Sequence, residues 1–173
     1  MRFEWASPDN VTAATIQEFL TLEADLLDSW ELIAWLDLFR EDAGYEIPTT
    51  DLSIEEQLEG SPDELLFILS DTFDTLKGRV KRLLSRDAYA ESPHSRTRRL
   101  VTNARILGRD GNMFEVKANF AIHRFKHGQA DLFVGQYRNR IVWEADGCLK
   151  FQRRRTILDN EALRPMGKVS IIL

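Results

Sequence analysis

The chain reads as an α+β domain with its helices in the first half and an antiparallel meander in the second. Three observations predict this. Early apolar residues recur near helical spacing, as in Ile16, Phe19, Leu20, Leu22, Leu26 and Leu27. From Phe114 the period drops to two, with Val116, Ala118, Phe120 and Ile122 alternating with Glu115, Lys117, Asn119 and Ala121. Short glycine turns then recur, at Asp110-Gly111-Asn112, His127-Gly128-Gln129 and Asp146-Gly147. Helices first and a four-stranded meander after them place the helices on one face of a curved sheet.

Taken in order, Asp9 or Thr12 can cap a first helix that runs to about Trp30. A second apolar helix spans Leu32 to Phe39, with Arg40 in its last turn. Gly44 to Pro48 reads as a short strand ended by proline. The polar, acidic stretch from Thr50 to Asp63, with Gly60, Ser61 and Pro62, reads as a loop. Leu65 to Leu69 fits both a short buried strand and a helix start, which periodicity does not separate. Asp71 or Thr72 caps the next helix, to about Ser85. Beyond a turn at Pro93 lie the strands: one carrying Arg96 and Arg98, then Phe114 to Ile122, about Asp131 to Trp143, and Leu149 to Leu158. Gly135 inside a strand suggests a bulge or bend that curls the sheet.

At 173 residues and 43% hydrophobic content the chain suits one domain, 1–173, with a core that needs no disulfide or metal. The lone cysteine, Cys148, forms no internal disulfide, which with the absence of a signal peptide points to the cytoplasm. No apolar run approaches the roughly 20 residues that span a bilayer. The net charge of −5 hides a division: residues 1–77 hold 19 acidic and 3 basic residues, residues 78–173 hold 9 acidic and 20 basic. Either the halves neutralise each other within one fold, or unlike patches drive head-to-tail or face-to-face association of subunits. An acidic half of this size disfavours nucleic acid as a partner.

The stretch from Arg79 to Asn103 concentrates the basic residues. Arg96 and Arg98, two apart on a strand, share a face and offer guanidinium forks suited to carboxylates or carbonyls, within the chain or across an interface. Further on, Arg153 and Arg155 would join the face of Leu149, Phe151 and Ile157, with Arg154 opposite. A buried arginine there needs a partner, either Asp159 or an acidic group of the N-terminal half; otherwise both are solvated.

Four blocks, spread over nearly the whole chain, resemble the small (beta) subunit of bacterial aromatic-ring-hydroxylating, Rieske-type dioxygenases. They are Glu23 to Asp28 followed by Trp35 to Phe39 and Asp42 to Pro48; Arg79-Val80-Lys81-Arg82-Leu83; Glu91 to Arg98 ending at Asn103, the most specific; and Arg153-Arg154-Arg155 through Asp159 with the tail Val169 to Leu173. Tyr89 stands where the family often has tryptophan, and the acidic stretch 51–63 carries no motif of that family.

The resemblance implies a cone-shaped cystatin-like (nuclear-transport-factor-2-like) fold, with N-terminal helices on a strongly curved, mainly antiparallel sheet. It implies a non-catalytic structural role in aromatic catabolism: a homotrimer capping three alpha (large) subunits in a hetero-hexamer, with no membrane partner. The Rieske iron–sulfur cluster and the mononuclear iron belong to the alpha subunit, and this chain holds no cofactor. Arg79, Arg82, Arg96, Arg98, Asn103, Arg153, Arg154 and Asp159 are then candidates for subunit contacts or structural salt bridges.

The residues agree that this chain lacks its own iron site. A Rieske cluster takes two cysteines and two histidines, and the chain has one cysteine. His123 and His127, four apart at a strand end, stand about 13 Å from each other, too far to share an ion. The alternative is an autonomous isomerase or dehydratase of the same cone fold acting on a small hydrophobic substrate. It would use Tyr45, Asp42, His94 or Tyr137 as an acid or base inside an apolar cone. An interior of Phe, Leu and Ile without a titratable group would exclude it.

Overall fold

The computed structural model describes residues 7–85, 94–160 and Ile172. The expected turn at Pro93, Tyr89 and most of the apolar tail lie outside them.

Helix α1 (Ala13–Asp28) starts where Thr12 turns extended, its hydroxyl accepting from the Thr15 amide while Thr15 answers the Thr12 amide. Its buried face, including Ile16, Phe19, Leu20 and Leu27, meets the sheet. Helix α2 (Leu32–Leu36) is shorter than the sequence suggests. Phe39 belongs instead to strand β1 (Phe39–Pro48), because its ring is needed between Trp35 and Phe151, at centroid distances of 4.8 and 5.0 Å.

The presumed acidic loop contains helix α3 (Ile54–Glu59). Ser53 and Glu56 cap each other's backbone amides there, a pattern legible in the sequence as Ser-x-x-Glu. Strand β2 (Phe67–Thr72) resolves the ambiguity after Leu65, and Thr72 caps α4 (Phe73–Leu83).

Strands β3 (Arg96–Asp110), β4 (Met113–Lys126), β5 (Gln129–Trp143) and β6 (Leu149–Leu158) form the predicted antiparallel meander. The sheet is larger than that meander: its order is β2-β1-β6-β5-β4-β3, with β1 parallel to β6. On β4 the alternation holds, with Phe114, Val116, Ala118, Phe120 and Ile122 all buried.

Two local features depart from expectation. Gly135 lies in register between Phe120 and Leu158, with no bulge. Its role is close approach: a Cβ there would stand 2.0 Å from the Ile157 carbonyl oxygen. The irregularity falls on β6, where Phe151 faces Ile141 but Arg153 faces Arg140, leaving Gln152 as the extra residue. One added residue inverts every later side chain. Arg154, rather than Arg153 or Arg155, therefore follows Phe151 into the core.

Candidate functional site

Arg154 is 1% exposed, and its ion pair is made with Glu23 of α1, equally buried. Nε and Nη2 each stand 2.9 Å from a different carboxylate oxygen, a two-pronged match of guanidinium to carboxylate. Nη1 donates to Asn139 Oδ1 at 3.2 Å, and the Trp35 indole N–H donates to Glu23 at 3.3 Å. The guanidinium lies 3.3 Å from the centre of the Tyr137 ring. Burial pushes Glu23 above the usual carboxylate range against the pull of Arg154, Trp35 and Arg99. Burial is the largest single influence on Arg154 and lowers its affinity for the proton, but Glu23, Tyr137 and Tyr45 together outweigh it, so the affinity rises. Burial likewise raises the Tyr137 phenol, whose hydroxyl has no hydrogen-bond partner among the described residues.

Arg155 points to the opposite face of the sheet. It pairs with Glu46 at 2.7 and 2.6 Å and donates to the carbonyls of Gln57, Leu58 and Gly60 at 3.3, 2.9 and 2.8 Å. These are the otherwise unsatisfied carbonyls at the end of α3. The arginine thus holds the acidic segment against β1 and β6, and helices lie on both faces of the sheet rather than one.

Arg99 makes the third anchor. It pairs with Asp28 at the end of α1 (2.5 Å), reaches Thr97 Oγ1 (2.9 Å) and donates to the Ile172 carbonyl (2.5 Å). Asp28 also accepts from the Thr97 hydroxyl and the Arg99 amide. The outward edge of β3, the last strand of the sheet, is closed by side chains. Trp30 donates to Ser95 O, Arg98 to Thr97 O and Gln17 to Val101 O, and Gln17 accepts from the Ala104 amide. Between Ser95 and Ala104 these bonds occupy backbone groups that an added strand would need.

The sequence candidates are dispersed around these anchors. Arg79 pairs with Asp71 at 2.6 Å, and Arg153 lies 3.6 Å from Glu115, which also holds Arg140. Burial lowers the proton affinity of Arg153. Among the described residues Arg96 and Arg98 make no ion pair, and both are exposed, because the inward positions of this stretch fall to Thr97 and Arg99. Arg82 is exposed and has no ion pair among the described residues. Asn103 sits at φ 57° in the irregular stretch between Thr102 and Arg105, a left-handed conformation that asparagine tolerates better than most residues. Asp159 is exposed and holds Val134 only through its backbone amide. The partners of Arg154 and Arg155 come from the acidic half instead. Glu23, Glu46 and Asp28 each stand among several acidic residues of that half, and nothing in their spacing marks them off from their neighbours as the ones that pair.

The acid–base candidates do not converge. Asp42 lies in an open cleft of about 600 Å³, its carboxyl held below the usual range by Arg40 and Gln152. His94 stacks on Trp30 at 3.9 Å in another cleft, of about 770 Å³. Tyr45 and Tyr137 are both buried, Tyr45 edge-on to Trp35 rather than at a rim. The interior is not free of titratable groups, as Glu23, Arg154 and Tyr137 show, but these groups are at most 1% exposed. The cavity of about 10 Å³ beside Leu27, Leu32 and Arg99 is of the order of one water. Among the described residues no cluster of three or more His, Cys, Asp or Glu could hold a metal. None of the described helices is long and apolar enough to cross a membrane.

Helices on a six-stranded mixed sheet, with buried arginine anchors, can be compared with known proteins. The profile of the ring hydroxylating beta subunit family matches residues 22–165. The chain belongs to that family. The small oxygenase component of the p-cumate 2,3-dioxygenase system of Pseudomonas putida is 44% identical over 165 residues, covering 94% of this chain and 88% of that one. Among solved structures, the beta subunit of benzoate 1,2-dioxygenase from Burkholderia mallei superposes with a TM-score of 0.74 at 25% identity, over 94% of this chain and 99% of that one. Naphthalene 1,2-dioxygenase with indole in its active site contains a chain that matches with a TM-score of 0.77. At 23% identity over 95% of this chain and 89% of that one, it shows the shared fold. The chain is therefore a beta-type subunit of an aromatic-ring dioxygenase, with the cystatin-like architecture of that family.

Proposed function

We propose that this beta-type chain acts by assembly: it docks onto a large oxygenase subunit that carries the Rieske cluster and the catalytic iron, in a complex of three large and three small subunits. The observation that carries this is the use of the buried polar groups. Glu23, Arg154, Trp35 and Asn139 are bonded to one another at the centre of the fold, which makes a stiff frame and spends its buried carboxyl on structure, out of reach of a substrate. A rigid scaffold with a strongly divided charge suits a subunit better than an isomerase or dehydratase.

The test is co-expression with the large subunit, capture on a tag carried by this chain, and turnover of a ring substrate. The relative named for p-cumate makes a benzoate-type acid the first substrate to try. The expected result is co-purification and ring oxidation that falls at least tenfold when this chain is omitted. A large subunit that purifies and turns over equally well alone refutes the proposal.

A further inference from the structure

The end of α1 meets the start of β3 in an open cleft of about 770 Å³, which is the size of a small-molecule site. Part of its lining is aromatic and held in place. After α1 the amides of Trp30 and Glu31 return to the Leu27 and Leu26 carbonyls, at 3.2 and 2.8 Å. In a helix ending of this kind the left-handed position usually takes glycine. Here it holds Trp30, at φ 59°. A bulky residue in that conformation is strained, and such strain collects at binding sites. The placement fixes the ring: the indole N–H donates to the Ser95 carbonyl at 3.1 Å, and His94 stacks on the indole at 3.9 Å, with 15° between the planes. Phe125, 46% exposed, lines the same cleft.

The charge of the cleft is unbalanced. Arg96 and Arg98 both line it. Two apart on one face of β3, they stand roughly 7 Å from each other at the backbone, so their long side chains can converge on one anion. Among the described residues neither makes an ion pair, and of their guanidinium N–H groups only one of Arg98 is bonded, to the Thr97 carbonyl at 3.1 Å. Asp28, the carboxylate in the lining, does not balance them. It is taken up by the Arg99 guanidinium, the Arg99 amide and the Thr97 hydroxyl. Two unpaired guanidinium forks beside fixed aromatic rings select a flat ring that carries an anionic group. We propose that this cleft binds an aromatic carboxylate, with the carboxylate on the forks of Arg96 and Arg98 and the ring against His94 and Phe125. The cleft belongs to this chain alone, so the inference goes beyond the assembly reading and does not depend on it.

The test is calorimetric titration of the full-length chain with benzoate, the simplest such acid. Benzoate is expected to saturate a single site per chain with a Kd below about 1 mM. Benzamide keeps the ring without the charge, and cyclohexanecarboxylate keeps the charge without the flat ring; each is expected to bind at least about tenfold more weakly. The variant Arg96→Gln/Arg98→Gln alters exposed side chains only and is expected to lose a similar factor, with circular dichroism as the check of folding. Trp30→Gly relieves the left-handed strain and removes the platform, so the folded variant is expected to bind as weakly. Arg105→Gln, further along β3, is expected to bind as wild type does. No saturable binding, equal affinity for either analogue, a folded pair variant or Trp30→Gly variant that binds as before, or an equal loss in Arg105→Gln each overturns the inference. The complex captured with the large subunit supplies the last arm. There the arginine pair variant is expected to remove one benzoate site per small subunit. Complexes that bind benzoate equally, or a pair variant that no longer captures the large subunit, would make the cleft a subunit contact and overturn the inference while leaving the subunit role.

Discussion

Removing one partner of the buried Glu23–Arg154 pair should cost far more than removing both, and the two single losses should be unequal. In Glu23→Gln the guanidinium stays charged at 1% exposure, since arginine does not give up its proton in proteins. Breaking a buried pair in this way costs about 3–5 kcal/mol. In Arg154→Met the orphan is a carboxyl already pushed up by burial, and it escapes by taking a proton. Each unit by which the working pH exceeds the unfolded pKa, up to the folded value, then costs about 1.4 kcal/mol. That folded pKa stands above the unfolded one, so the variant's stability is fully present below the unfolded pKa. It is lost as pH rises through the folded value.

The double variant Glu23→Leu/Arg154→Met removes both charges and takes their partners from two further groups, the Trp35 N–H and the Asn139 oxygen. Each of those costs about 1–3 kcal/mol. The double variant should therefore be several kcal/mol more stable than the sum of the singles predicts. Urea unfolding followed by tryptophan fluorescence, at pH 5 and pH 8, measures all four proteins. Additive single losses, or a Glu23→Gln variant within about 0.5 kcal/mol of wild type, would refute the account of a mutually dependent buried pair.

Arg155→Met should free the end of α3. Hydrogen exchange and proteolysis across 51–66 are expected to accelerate, with a global loss of about 3–5 kcal/mol from the orphaned Glu46 and three carbonyls; unchanged exchange in that segment contradicts the anchoring role. Gly135→Ala drives a methyl group into the Ile157 carbonyl and should cost at least about 1–3 kcal/mol by chemical denaturation. An alanine variant as stable as wild type would mean that β5 and β6 can move apart there.

Local chemistry is legible wherever it acts within a few residues. The Thr12 and Thr72 caps, the alternation on β4 and the turns at Gly111, Gly128 and Gly147 follow from the chain alone, as does the bounded meander from β3 to β6. The four blocks that resemble the dioxygenase beta subunits also point to the family, which the profile match then establishes. The Ser53–Glu56 cap was legible too, though the acidic composition around it hides the helix. What the chain does not reveal is parity. A single extra residue, Gln152, decides which of three consecutive arginines enters the core, and nothing in the local sequence marks it. Similarly, Arg96 and Arg98 share a face as their spacing requires, but the inward face belongs to Thr97 and Arg99 because Asp28 waits there at the end of α1. The sequence determines that basic and acidic halves must meet. Only the tertiary structure decides which pairs do so, because pairing depends on register and on the approach of elements more than 60 residues apart, such as Asp28 with Arg99 and Glu23 with Arg154.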